Sequence, residues 1–246
     1  MIEFLKRLYR WIKFQFSINW VKTLYFNFKK FPLSIAFKLP VYFYGSVKFT
    51  SLKGNIKIDA NIRRGMVGFG QQFEMGTRRK GSAELYLSGT FSVKGFVHIG
   101  KDCLVYIGDK AHFEVGNMGC LGSDVKVFCT NKIVLGNWAR IAYQSQIVDT
   151  NFHRMLDTAT KKPFPLSAPI FIGNYNSISN RSTIMPGTVT PNYCVVASNS
   201  VVNKDYTPLG NNILLGGIPA KLIKKNYSRD WEGEKELLED FLILKK

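Results

Sequence analysis

Ile172-Gly-Asn-Tyr-Asn-Ser-Ile178-Ser-Asn-Arg-Ser-Thr-Ile184-Met-Pro-Gly-Thr-Val-Thr190-Pro-Asn-Tyr-Cys-Val-Val196-Ala-Ser-Asn-Ser-Val-Val202 reads in sixes. Five of the six numbered positions are β-branched aliphatics. Two residues before each, from Ile178 onward, stand Asn176, Ser182, Thr188, Cys194 and Ser200, all short. A helix would need apolar spacings of three and four, and strict sixes do not supply them. One short strand plus one turn does. Three such units close a triangular coil of about eighteen residues, and stacked coils satisfy one another's backbone through parallel pairing. The aliphatic residue then points inward, with the short residue beside it in a tight corner.

Working outward, the same spacing recurs at Leu135, Ile141 and Ile147, and at Val115, Leu121 and Val127. Between Ile99, Ile107 and Val115 it loosens to eight. For residues 50–115 an antiparallel sandwich, with turns every 8–12 residues, therefore stays open as an alternative. Gly108, Gly116, Gly136 and Gly173 directly follow an aliphatic residue, where a turn asks for permissive backbone.

The count breaks after Ile147. Nineteen extra residues intervene before Ile172, including Lys161-Lys-Pro-Phe-Pro165. Residues 153–171 read as an extruded loop, and a loop of that length is usually functional or disordered. Residues 1–50 hold nine Lys or Arg against one acid, Glu3, among many aromatics. Two readings stand for them. They form a cap over the open end of the solenoid, the favoured one. Or they form a basic amphipathic segment, with Ile2, Leu5, Leu8 and Ile12 on one face, at an anionic membrane surface. At the other end, Ser228 or Asp230 caps a helix over 232–244 whose packing face is Leu237, Phe241 and Leu244. The organisation expected is an N-terminal segment over 1–50, a solenoid domain over 51–225 and a helix over 226–246.

The formal charge of +17 attracts phosphates, nucleic acid or an anionic membrane. Interleaved basic and aromatic residues also suit single-stranded nucleic acid, but no nucleic-acid motif accompanies them. No uncharged run reaches the roughly 20 residues of a spanning helix. The four cysteines form no CxxC pair and read as reduced thiols of a cytoplasmic protein, in which a peripheral position at the inner membrane face is open.

The hexads, with Val201-Val-Asn-Lys-Asp205 and Gly216-Gly-Ile-Pro-Ala-Lys221, resemble the hexapeptide-repeat acyltransferases, and most of all their sugar and polysaccharide O-acetyltransferases. The resemblance covers about residues 95–225. It implies a left-handed parallel β-helix, with the N-terminal cap and short C-terminal α-helix as appendages. It also implies a homotrimer with sites between subunits, acetyl-CoA as acyl donor, a saccharide acceptor and no metal.

On the same resemblance, His153, in Ile147-Val-Asp-Thr-Asn-Phe-His153, is the general base. A sugar hydroxyl is a poor nucleophile, and a neutral imidazole is suited to remove its proton and return it to the leaving thiol. Asp149 would orient the ring or bind a sugar hydroxyl, and otherwise is a turn residue. Asn151, Gln144 and Arg154 are acceptor-side candidates. Gln144 departs from the Asn of related enzymes, and Arg154 is equally a solvated charge. Ala142 is the candidate oxyanion donor through its backbone N–H. Ala197 and Ser198 would admit the pantetheine arm of CoA, and Lys204 and Lys221 would meet its phosphates. An N-acyltransferase on a nucleotide-linked amino sugar and a non-catalytic binding solenoid are the rivals. A zinc carbonic anhydrase on this coil would need three converging histidines, and His98 and His112 are far from His153 in sequence.

Overall fold

The computed structural model describes residues 2–71 and 81–242. Among these residues the strands form three sheets of nine, seven and five, and all pair in parallel except a final hairpin, Ile213–Gly217 with Ala220–Lys225. Successive strands visit the three sheets in turn, which is a triangular prism. The first face runs from Val41–Phe43 to that hairpin, the second from Val47–Leu52 to Val201–Val202, and the third from Asn55–Ile58 to Ile170–Ile172. The parallel β-helix expected from the sixes is therefore present. Residues 50–115 belong to it, and the sandwich alternative is excluded by their parallel register.

Stacked inward columns make the core. On the first face Phe43, Phe69, Ile99, Leu121, Ile141, Ile178, Val196 and Leu215 are successive partners, all buried. On the second, Leu85, Val105, Val127, Ile147, Ile184 and Val202 do the same. Partners in the last coils, such as Ile178 and Val196, are 18 residues apart, whereas Ile99 and Leu121 are 22 apart. Longer corners account for the looser spacing; the register is unchanged.

The short residues beside the aliphatics have a second task. Asn176, Ser182, Thr188 and Ser200 are buried and polar, and each donates to corner carbonyls: Asn176 to Pro191 O, Ser182 and Ser200 to Ala197 O, Thr188 to Val202 O. Buried carbonyls without a partner would be costly, so a polar interior at the corners is stabilising.

The glycines behave differently from the expectation. Gly116, Gly136 and Gly173 do not adopt positive φ; the left-handed positions are taken two residues later by Met118, Trp138 and Tyr175. The glycines are there for proximity. A Cβ on Gly116 would lie 2.5 Å from Asn137 N, and one on Gly173 2.5 Å from Pro191 O in the next coil. The aromatic residues offset the cost of left-handed backbone by stacking: Trp138 on Tyr175 at 6.1 Å and Tyr175 on Tyr193 at 4.9 Å.

The N-terminal segment divides in two. Helix α1, Ile2–Ser17, stands almost wholly exposed, and α2, Trp20–Lys30, closes the open end of the prism. Phe26 of α2 is buried 4.9 Å from Phe43. Asn27 exchanges two hydrogen bonds with the backbone of Val41, and the Thr23 hydroxyl accepts from Phe43 N. Side chains of α2 thus satisfy the edge strand that an absent coil would have paired. A short helix, α3, Leu33–Ala36, leads into the first strand.

At the other end, α4, Trp231–Leu242, is capped by Asp230, whose carboxylate accepts from Gly233 N at 2.9 Å. Gly233 weakens the first turn but leaves room for that carboxylate, because a Cβ there would come within 2.2 Å of it. The expected packing face needs correction. Leu237 is exposed, whereas Trp231 and Leu238 are buried, with Trp231 edge-on to Trp138 and Tyr175. The anchoring ring at Trp231 rotates the helix so that Leu238 faces the prism. Leu244 and the Phe241 side chain lie outside the described residues.

Candidate active site

The candidate residues lie along two edges of the prism, either side of the second face. Between the second and third faces, after the strand Gln146–Val148, the chain leaves the coil as an arm and returns at Ile170. The arm is a hairpin held by Thr150–Ser167 and Leu156–Pro163 bridges, with Asn151 N donating to Leu166 O and Phe164 N to Met155 O. His153 stands on this arm, exposed, its N–H bonded to Asn151 O. Its neighbour Phe152 has φ +56 and packs edge-on against Phe128 of the second face at 5.5 Å, which fixes the direction in which the chain enters the arm. Arg154 is exposed and Asn151 half-buried.

Asp149 is fully buried at the root of the arm. Its carboxylate accepts from Thr130 N at 2.8 Å, the Thr130 hydroxyl at 2.9 Å and Asn131 N at 2.8 Å. Both oxygens are turned to the corner of the preceding coil rather than along the arm. Asp149 thus ties the root of the arm to that corner.

The edge between the first and second faces stacks the corners of successive coils, with Asp124, Gln144, Arg181 and Asn199 all in the left-handed conformation. Gln144 is exposed there. Ala142 lies on the same edge, but its N–H donates to Ile178 O at 2.8 Å, and that of Ala197 to Leu215 O at 2.8 Å. Parallel pairing with the next coil thus engages the N–H for which an oxyanion role is expected at Ala142. Ser198 is exposed, and its hydroxyl donates to Asn180 Oδ1 at 2.7 Å. Lys204 returns to the arm's edge, its ammonium 5.5 Å from the Tyr206 ring, and Lys221 is exposed in the final hairpin opposite Gly216.

The other two histidines are elsewhere. His98 is buried on the first face, where burial and the Arg140 guanidinium push it down to about 3. His112 lies on the third face beside Glu114. The three imidazoles occupy different parts of the prism. Burial likewise pushes the Cys103 and Cys194 thiols up to about 12, and the four buried cysteines are in no disulfide.

The sequence reading missed a column of aromatics on the outer side of the second face. Tyr86 stacks on Tyr106 at 4.4 Å, and Phe128 follows at 6.3 Å, leading to Phe152 of the arm. Each stands one residue after an inward aliphatic (Leu85, Val105, Val127), a signal visible once the coils are aligned.

No family model matches the chain. A probable macrolide acetyltransferase of Lysinibacillus sphaericus is 27% identical over 146 residues, 48% of this chain and 79% of the relative. The putative lipopolysaccharide biosynthesis O-acetyl transferase WbbJ of Escherichia coli K12 is 26% identical over 184 residues, 72% of this chain and 82% of the relative. Both relatives are named acetyltransferases, and the chain is similar to each at under 30% identity. The crystal structure of the polySia-specific acetyltransferase NeuO aligns over 81% of this chain and 94% of the other, with 16% identity and a TM-score of 0.45.

Proposed function

We propose that this acyltransferase moves an acetyl group from acetyl-CoA to a hydroxyl of a saccharide, a precursor of capsule, lipopolysaccharide or another surface glycan. The observation that supports it is an exposed imidazole, His153, on an arm extruded from a hexad coil, in a chain whose relatives are named as acetyltransferases. His153 takes the proton of the acceptor hydroxyl as the oxygen attacks the thioester carbonyl. The tetrahedral intermediate collapses with cleavage of the carbon–sulfur bond, and the imidazolium returns the proton to the leaving thiolate. Transfer is direct, with no acylated side chain and no metal in the reading.

The candidate residues of one chain lie on two edges separated by the second face. A homotrimer brings the arm of one subunit against the Gln144–Ser198 edge of the next, and in this reading each site is shared. Gln144, Asn151 and Arg154 then face the acceptor, Ala197 and Ser198 the pantetheine arm, and Lys204 and Lys221 the phosphates of CoA. Asp149 acts as a positioning residue at the root of the arm. No nucleic-acid partner enters the reading. The protein works on the cytoplasmic side, where a peripheral position at the inner membrane face is open to its N-terminal segment.

The test is acetyl-CoA turnover with matched acceptors, sugars against their amino analogues. Thiol release with hydroxyl acceptors at least about tenfold above the amino sugars is expected. The reverse preference would make the enzyme an N-acyltransferase, and no turnover combined with no CoA binding by calorimetry would leave a binding solenoid.

A further inference from the structure

The N-terminal segment has two separable parts: α2 closes the prism, and α1 stands exposed beside it. Its last turn packs on the body. Phe14 packs 6.5 Å from Tyr42 and 6.2 Å from Tyr44, and the Trp20 indole donates to Gln15 O at 3.1 Å. At 3.6 residues per turn, Leu5, Leu8, Tyr9, Ile12 and Phe16 lie on the half of the helix opposite Phe14. Their exposures include 66% at Tyr9 and 86% at Phe16, far more than an apolar face keeps when it packs on its own fold. Lys6 and Lys13 flank this half, both exposed. No described helix is long and apolar enough to cross a membrane.

We propose that α1 lies flat in the surface of an anionic phospholipid bilayer, its apolar half among the acyl chains and its lysines at the headgroups. The charge decides the occupant. Residues 1–50 carry nine cations and one acid within a chain of formal charge +17, so a second copy of α1 would meet like charge, whereas an anionic lipid surface is complementary. The structural half of the task belongs to α2, whose Phe26, Asn27 and Thr23 hold the end of the prism without α1. The inference rests on the acyltransferase reading in one respect. In a cyclic trimer, rotation preserves height along the axis, so three α1 helices share one level and bind together.

The experiment is flotation of the full-length protein with phosphatidylglycerol vesicles and with phosphatidylcholine vesicles, alongside acetyl transfer to a soluble saccharide. Wild type is expected to float with phosphatidylglycerol, to be released at high salt, and to stay behind with phosphatidylcholine. The triple substitution Leu5→Gln, Tyr9→Gln, Phe16→Gln should cut the floating fraction about tenfold or more. Soluble-acceptor activity and the trimer measured by light scattering should be unchanged. Lys6→Glu with Lys13→Glu should weaken flotation while leaving helix content intact. Wild type remaining unbound on phosphatidylglycerol, the triple variant floating like wild type, or the triple variant losing its oligomeric state would each overturn the proposal. Loss of acetyl transfer in wild type, with flotation intact, would strike the enzymatic reading and leave this one standing.

Discussion

His153→Ala should slow acetyl transfer by about 10²–10⁴-fold at saturating acetyl-CoA, the range that a positioned general base contributes. The loss should fall on kcat, because the imidazole is assigned to proton transfer and not to holding either substrate. Calorimetry should find CoA affinity close to that of wild type. Folding is not at issue. The side chain is exposed, and the arm is held by the Thr150–Ser167 and Leu156–Pro163 bridges and by Phe152 against Phe128. Circular dichroism should therefore be unchanged. Equal rates for wild type and variant would remove His153 from the mechanism.

The second large effect is on stability. Asp149→Ala deletes the acceptor of three hydrogen bonds from Thr130 and Asn131 in a site with no access to water. Bonds to a charged acceptor each contribute about 1.5–3 kcal/mol net, and they are not additive when they share one group. Removing one partner of a buried charged cluster costs about 3–5 kcal/mol. We expect a loss of about 3 kcal/mol or more by urea denaturation. Asp149→Asn should recover part of it, because its one oxygen serves the Thr130 donors while its amide opposes Asn131 N–H. The root of the arm also uses the Asp149 backbone, through Ala168 N, so kcat and KM should both change. A destabilisation below about 1 kcal/mol would mean that the corner does not depend on this carboxylate.

Much of the architecture was legible because each coil repeats one constraint. A side chain that touches its equivalent above and below must be aliphatic every time, and Ile178, Ile184, Val196 and Val202 announce this in the sequence. Other features depend on what a residue meets rather than on what it is. Thr23 and Asn27 read as ordinary helix residues until the unpaired edge at Val41–Phe43 appears beside them. Left-handed backbone is ordinarily assigned to Gly, Asn or Asp, so Trp138 and Tyr175 gave no signal of it; their stacking supplies the compensation. The site was legible in part. His153 stands out by chemistry and by its place at a break in the count. The engagement of the Ala142 and Ala197 N–H groups follows from pairing with the next coil, which no local motif records.

The central claim is that the imidazole of one subunit serves an acyl chain lodged against the corner of another. Mixed trimers test it most directly, using chains bearing His153→Ala and chains bearing Ser198→Trp, each inactive alone. Refolded together in equal amounts, they should recover about a quarter of wild-type activity, the fraction of interfaces that pair an intact arm with an intact corner. A mixture as inactive as its parents, with mixed trimers confirmed by mass spectrometry, would contradict the shared site.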